Sequence, residues 1–259
     1  GNKFEFRAVG SSDNCSSAMV VLNTIVANQL TEFKSKVDSQ IAGGMSTEDA
    51  IEKELREILI SSKNVIFGGN GYSDDWVVEA EKRGLSNIKN TAEALQAYLN
   101  PQSVHLFTEN GIFSHKELEA RTEIRYETYV LSLELEAKVL TEMIQTFVIP
   151  SAIKYQGRIA KGLSDMKNIG IEASLMSAQT DLLRTLSGLI NQAQQLNHDL
   201  MTENEKALAK DHAKDRALAF NNVIKPLFEE LRVVSDEIER LCDDADWTLH
   251  KYRELLTLS

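Results

Sequence analysis

The sequence predicts a mainly α protein: a helical bundle with long, antiparallel, coiled-coil-like helices and one short strand at the N-terminus. Three observations carry this. Only 3 prolines occur in 259 residues, and aromatics are few, so little interrupts a helix. Three stretches repeat apolar residues at alternating spacings of three and four, the period of a helix seam. Lys3-Phe4-Glu5-Phe6-Arg7 instead alternates apolar and charged, the period of a strand.

After that strand comes a polar turn, Gly10-Ser11-Ser12-Asp13-Asn14, and a helix from about Ser16 to Ala42. Val21, Leu22, Ile25, Leu30, Phe33 and Val37 give it an apolar face, and Gly43-Gly44 stop it. Ser46-Thr47-Glu48-Asp49 opens a second helix with acids in its first turn, running to about Ile60. Asn64-Val65-Ile66-Phe67 is short and apolar enough for a strand. The loop Gly68-Gly69-Asn70-Gly71-Tyr72 follows, and Ser73-Asp74-Asp75 caps a helix ending near Gly84. Residues 85–113 suit two short helices parted by Asn100-Pro101.

Ser114-x-x-Glu117 is a capping box. Beyond it Tyr126, Val130, Leu133, Ala137, Leu140, Ile144 and Phe147 form the first seam. Pro150 should interrupt this helix, because it removes a donor and clashes with the preceding turn; helix resumes to about Lys167, and Gly170 marks a turn. Leu175, Leu182, Leu186, Leu189, Ala193, Leu196 and Leu200 form the second seam, which Thr202-Glu203-Asn204 breaks. The third runs from Phe220 through Ile224, Leu227, Leu231, Val234, Ile238, Leu241 and Ala245 to Tyr252 and Leu255, with Pro226 expected to kink it near Asn222. Short connections make neighbouring helices antiparallel. An antiparallel hairpin is therefore expected over 171–259, with Leu182, Leu186 and Leu189 facing the first half of the last helix.

Charge and thiols limit the function. With 39 acids against 28 bases the net charge is −11, which disfavours a nucleic-acid backbone and an anionic membrane surface alike. No apolar run reaches the length of a membrane span. Two distant cysteines, Cys15 and Cys242, make no disulfide framework and read as buried, inert thiols in a reducing, cytoplasmic compartment. None of His105, His115, His198, His212 and His250 has metal-ligand spacing. The 68–76 loop lacks the lysine of a phosphate-binding P-loop, so a loop feeding a helix cap is the simpler reading. Glu5 and Arg7 stand out as the outward charges of an otherwise apolar strand. A carboxylate and a guanidinium so placed suit a divalent metal and an anionic substrate, and they equally suit a salt bridge on an exposed edge strand.

Several separated blocks then resemble one family. They are Asn2-Lys3-Phe4-Glu5-Phe6-Arg7-Ala8-Val9-Gly10-Ser11-Ser12 with Val21-Leu22-Asn23-Thr24-Ile25-Val26-Ala27, Gly69-Asn70-Gly71-Tyr72-Ser73-Asp74-Asp75-Trp76, Lys89-Asn90-Thr91, Phe113-Ser114 through Arg121-x-Glu123-Ile124, and Ile149-Pro150. In this order they resemble the end of the catalytic domain and the C-terminal region of type III glutamine synthetase, the long bacterial form. The resemblance covers essentially the whole chain, the last helices only in general character. Where the family often has Pro near position 18, Ala18-Met19 stands here, which bears only on the helix entry.

The resemblance implies ATP-dependent ligation of ammonia to glutamate through a γ-glutamyl phosphate, with Mg or Mn ions. In the family's Glu-x-Arg motif, which falls on Glu5 and Arg7, the Glu ligates one metal ion and the Arg contacts glutamate and the phosphoryl group. The family forms ring-shaped homo-oligomers. The expected organisation is then 1–45 as the end of the catalytic domain, 46–170 as the helical type III C-terminal region and 171–259 as the hairpin. The rest of the family's site would lie upstream, so the chain reads as a C-terminal fragment of a cytoplasmic ligase, inactive alone. No cofactor is expected to bind it tightly. The alternative is a non-catalytic helical interaction or oligomerisation module.

Overall fold

The computed structural model describes residues 14–256, and these are helical with no strand among them. The expected strand at Lys3–Arg7 lies outside the described residues. The chain divides into two compact units, 1–122 and 123–259.

In the first unit, α1 (Ser16–Ala42) packs on α2 (Thr47–Ser61). Gly44, at φ +94°, makes the left-handed turn that only glycine adopts without strain. Ser46 then accepts the Asp49 N–H at 3.2 Å, and α2 starts there. Val37 and Ala50 are buried, but Ile25 and Leu30 of α1 are 47% and 62% exposed. Among the described residues the apolar face expected for α1 is thus covered only in part. The stretch 64–67 is turn and coil, not a strand. No strand among the described residues pairs with it, and Arg83 Nη1 donates to the Ile66 carbonyl at 3.0 Å instead. Then come α3 (Asp74–Lys82), α4 (Thr91–Ala94) continuing as a 3₁₀ turn Leu95–Leu99, and α5 (Pro101–Glu109). Asn90 and Asn100 cap the last two through their side-chain oxygens, and Pro101 opens α5 where its missing donor costs nothing.

The capping box at Ser114 forms as expected. The Ser114 N–H donates to Glu117 Oε2 at 2.8 Å, and the Glu117 N–H donates back to Ser114 Oγ at 3.3 Å. It starts α6 (His115–Met143), within which the two units are divided. Pro150 does not interrupt the run. A π-turn over Ile144–Val148 leads directly into α7 (Ile149–Asn168), with Pro150 in its first turn. Pro226 is handled the same way. The π-turn Phe220–Ile224 joins α9 (Ala213–Ala219) to α10 (Lys225–Leu241), and Asn222 sits inside it. A proline strands the carbonyl four residues before it; one wide i→i+5 turn shifts the pairing and absorbs the missing donor without ending the helix.

Between them runs α8 (Ser177–Leu208). Thr202-Glu203-Asn204 does not break it, since none of these residues removes a backbone donor. Leu175 lies outside it, in a 3₁₀ turn, 69% exposed. The second unit is a three-helix up-down-up bundle. Gln145 meets Met201 while Gln156 meets Ser187, so α6–α7 and α8 are antiparallel; Tyr129 meets Asn221 while Ser151 meets Thr248, so the first and last segments are parallel. The three seams converge. Tyr126, Leu133, Ala137 and Ile144, then Leu186, Leu189, Ala193 and Leu200, then Phe220, Ile224, Leu231, Val234 and Ile238 are all buried.

The last helix ends earlier than its spacing suggests. It stops at Leu241, and residues 242–251 form an irregular segment before the single turn α11 (Tyr252–Leu255). Ala245 is exposed, and Tyr252 and Leu255 are 50% and 51% exposed, so none of them belongs to the seam.

Candidate functional site

Glu5 and Arg7, the residues singled out in the sequence, lie outside the described residues. Among the described residues no group of three or more His, Cys, Asp or Glu is placed to hold a metal ion. Three histidines face a glutamate one turn on, His105 to Glu109, His115 to Glu119 and His250 to Glu254, at 3.5–3.9 Å. These are helix-surface pairs worth little.

The glycine-rich loop is a packed connection. Asn70 Oδ1 accepts the Tyr72 N–H at 3.0 Å, an Asx turn, and the Ser73 hydroxyl donates to the Asn70 carbonyl. Ser73 therefore occupies the cap position of α3 without accepting a helix N–H. Phe67 stacks on Trp76 with ring centroids 4.0 Å apart, and Arg83 lies 5.6 Å from both rings while its Nε donates to Glu79 at 2.7 Å. The Arg83 guanidinium holds the Glu79 carboxyl below its usual range. This fixes the loop on α3 by stacking and a paired charge, and it commits Arg83 to Glu79 and the Ile66 carbonyl.

Two charged clusters are buried more deeply. Glu54 of α2 is 1% exposed and takes Lys36 Nζ at 2.9 Å and Gln40 Nε2 at 3.4 Å, both from α1. The hydrogen bond and charge of Glu54 raise the Lys36 ammonium above its usual range. A buried carboxylate needs such partners, and the triad pins α2 to α1.

The other cluster clasps the 242–251 segment. Lys251, 6% exposed, donates to the Cys242 carbonyl at 2.6 Å and pairs with Asp244 at 2.9 Å. Arg158 of α7 pairs with Asp243 at 2.7 Å and with Asp246 at 3.1 Å, and Lys154 reaches Asp246 at 3.3 Å. The Ala245 N–H and Arg158 hold Asp243 below the usual carboxylate range, and Lys251 does the same for Asp244. Every charge here has an opposite partner, which is the pattern of a structural fastening.

Cys242 lies under this clasp, and burial pushes its thiol up to about 11. It is the inert thiol the sequence suggested; Cys15 is not, being exposed on the surface before α1. A thiol reagent at pH 8 should therefore label Cys15 rapidly and Cys242 only on unfolding. Equal labelling rates in the folded chain would contradict the burial.

The described residues thus define a helical domain with two paired-charge fastenings and no constellation of nucleophile, base and electrophile. Comparison with known proteins shows what it is similar to. Residues 50–167 match the family model of the glutamine synthetase C-terminal domain. The chain is 38% identical over 259 residues to a glutamine synthetase of Bacteroides fragilis (strain YCH46), covering 99% of this chain and 36% of that protein. It is 34% identical over 265 residues to the type-3 glutamine synthetase of Dictyostelium discoideum, covering 100% and 35%, and 27% identical over 256 residues to a glutamine synthetase of Butyrivibrio fibrisolvens, covering 99% and 36%. The chain spans about a third of the length of the curated relatives it matches. No helix among the described residues is long and apolar enough to cross a membrane.

Proposed function

We propose that this chain is the C-terminal portion of a glutamine synthetase of the type III form, which ligates ammonia to glutamate with ATP through a γ-glutamyl phosphate. The observation that carries the reading is the match of residues 50–167 to the glutamine synthetase C-terminal domain, together with full-length similarity to relatives about three times as long. In this reading residues 1–45 close the catalytic domain. Glu5 gives one carboxylate to a Mg or Mn ion, and Arg7 neutralises charge on glutamate and on the phosphoryl group in flight. In the same reading the remaining ligands and the ATP pocket belong to the rest of the longer polypeptide, a cytoplasmic ring-shaped homo-oligomer.

The purified 259-residue chain should then form no glutamine from glutamate, ammonia and ATP, because one carboxylate and one guanidinium do not make a site. The longer polypeptide should form it. Glutamine formation by the chain alone, free of host enzyme, would overturn the division of labour; none from the longer polypeptide would overturn the activity itself.

A second reading, a non-catalytic interaction module, draws on one feature of α6. Ile124, Leu131, Leu135 and Val139 are each 54–59% exposed, and helical spacing places them opposite the buried stripe of Tyr126, Leu133, Ala137 and Ile144. A helix apolar on two opposed faces is suited to burial on both. The two readings are compatible if the outer face meets the rest of the polypeptide or a neighbouring copy. The 171–259 hairpin, by contrast, is largely spent on the bundle's own core.

A further inference from the structure

Helix α6 carries two apolar faces, and among the described residues only the inner one is covered. Ile124, Leu131, Leu135 and Val139 stay exposed on the far side from the bundle core. At 3.6 residues per turn these four, with Thr128 among them, fall within about 80° of one another. A stripe that narrow suits a single neighbouring helix rather than a broad core.

Charges on the stripe and its rim restrict what that helix can be. Glu127 and Lys138 lie along one edge, both exposed, about 16 Å apart along the axis. Lys138 also pairs with its own Glu134. Glu142 lies within the stripe itself, one turn beyond Leu135 and Val139, and is exposed. Suppose two copies of α6 meet. Side by side and parallel, each Glu142 would face the other in the seam, two like charges in contact. Turned antiparallel about a two-fold axis level with Ser132 and Leu133, the two Glu142 side chains move to opposite ends. The same edges then meet, and each Glu127 comes level with the other copy's Lys138. The stripe is thus its own complement in shape and in charge, as an isologous contact requires.

We propose that the outer stripe of α6 pairs antiparallel with the same stripe of a second copy of this chain. Leu131 packs beside the partner's Leu135, Thr128 sits between the partner's Leu135 and the partner's Val139, and Ile124 packs against the partner's Val139. Glu127 pairs with the partner's Lys138, twice per dimer. The inference draws on α6 alone and stands whether or not the longer polypeptide is a ligase. A stripe this size buries at most ~1,200 Å² in the pair, the range of weak contacts. The isolated chain therefore pairs only when concentrated, and other contacts in a larger assembly would strengthen the pairing by raising the effective concentration.

Sedimentation equilibrium on the 259-residue chain, from about 10 μM to about 1 mM, tests this, with a reversible monomer–dimer equilibrium expected at a Kd on the order of 10⁻⁴ M. Glu127→Lys and Lys138→Glu each turn two attractive contacts into repulsive ones and should each weaken the dimer about tenfold. The two changes together restore opposite charges and should bring the Kd back to within about threefold of the unaltered chain. In a parallel pair these residues do not meet, and the double variant would not recover. Leu131→Glu with Leu135→Glu should leave only monomer. A carbodiimide, which joins a carboxylate to an amine in contact with it, should link Glu127 to Lys138 between isotopically light and heavy chains. All four positions are exposed, so folding is not at stake. The proposal is overturned if the chain stays monomeric throughout, if the dimer survives the two leucine changes, or if the charge swap fails to restore what the single changes lose.

Discussion

Replacing Glu5 by alanine in the longer polypeptide is expected to lower turnover by roughly 10²–10³, the usual cost of removing one preorganised charged partner from a transition state. The same loss is expected for Arg7→Ala, by a different route. Glu5 would act through a metal ion, so its loss should lower metal occupancy and be relieved in part by excess Mg or Mn. Arg7 would act on the substrate and the transferring phosphoryl, so its loss should raise KM for glutamate and leave metal occupancy intact. A conservative Arg7→Lys should rescue little, because an ammonium cannot reproduce the guanidinium's bidentate geometry. Steady-state kinetics with metal analysis on the three variants separates the cases. Near-normal kinetics for Glu5→Ala or Arg7→Ala, with unchanged metal content, would return both residues to an edge-strand salt bridge.

That assignment rests on resemblance, and physics explains why nothing local replaces it. Two charges on one strand face have the same pattern in a metal site and in a surface ion pair. What distinguishes them is the remaining ligand set, and the described residues hold none. Helices, by contrast, were legible because caps and seams are local. The Ser114–Glu117 box, the cap at Ser46, the left-handed Gly44 and the buried Leu186, Leu189 and Ile238 all follow from spacings of three or four.

The misreadings have local causes too. Ala245, Tyr252 and Leu255 happen to continue the α10 spacing past its end. The stop signal was Asp243, whose Oδ1 accepts the Ala245 N–H at 2.8 Å in an Asx turn. Charge pairing with Arg158 and Lys251 then holds the irregular segment in place. The prolines misled in the other direction, because a π-turn can be built from ordinary residues such as Ile144–Val148 and leaves no mark on composition. The outer stripe of α6 did leave a signal, Leu131 and Leu135 beside the seam residue Leu133, but whether the chain covers it is a three-dimensional fact.

The bundle also sets up a contrast between inner and outer faces. Phe220 is fully buried where the last helix widens into its π-turn. Phe220→Ala should destabilise the chain by about 3–5 kcal/mol, the transfer loss plus the cavity left behind, read from a denaturant midpoint with unchanged slope. Leu135 on α6 is instead 55% exposed, and Leu135→Glu alters a surface side chain. It should change the chain's stability by no more than about 0.5 kcal/mol. The order should reverse for assembly. In the longer polypeptide, Leu131→Glu combined with Leu135→Glu would place two charges in any surface packed on α6's outer stripe, where an unpaired buried charge is costly. Light scattering should then report a smaller particle or an aggregated one, while the isolated chain keeps its denaturant midpoint. Deleting 171–259 would be a poorer test, because it removes α8 and α10 and strands the seam of Tyr126, Leu133 and Ile144, so loss of assembly would follow from unfolding alone. If the double variant of the longer polypeptide keeps both its size and its stability, the outer stripe of α6 meets nothing, and the interaction reading loses the observation that favours it.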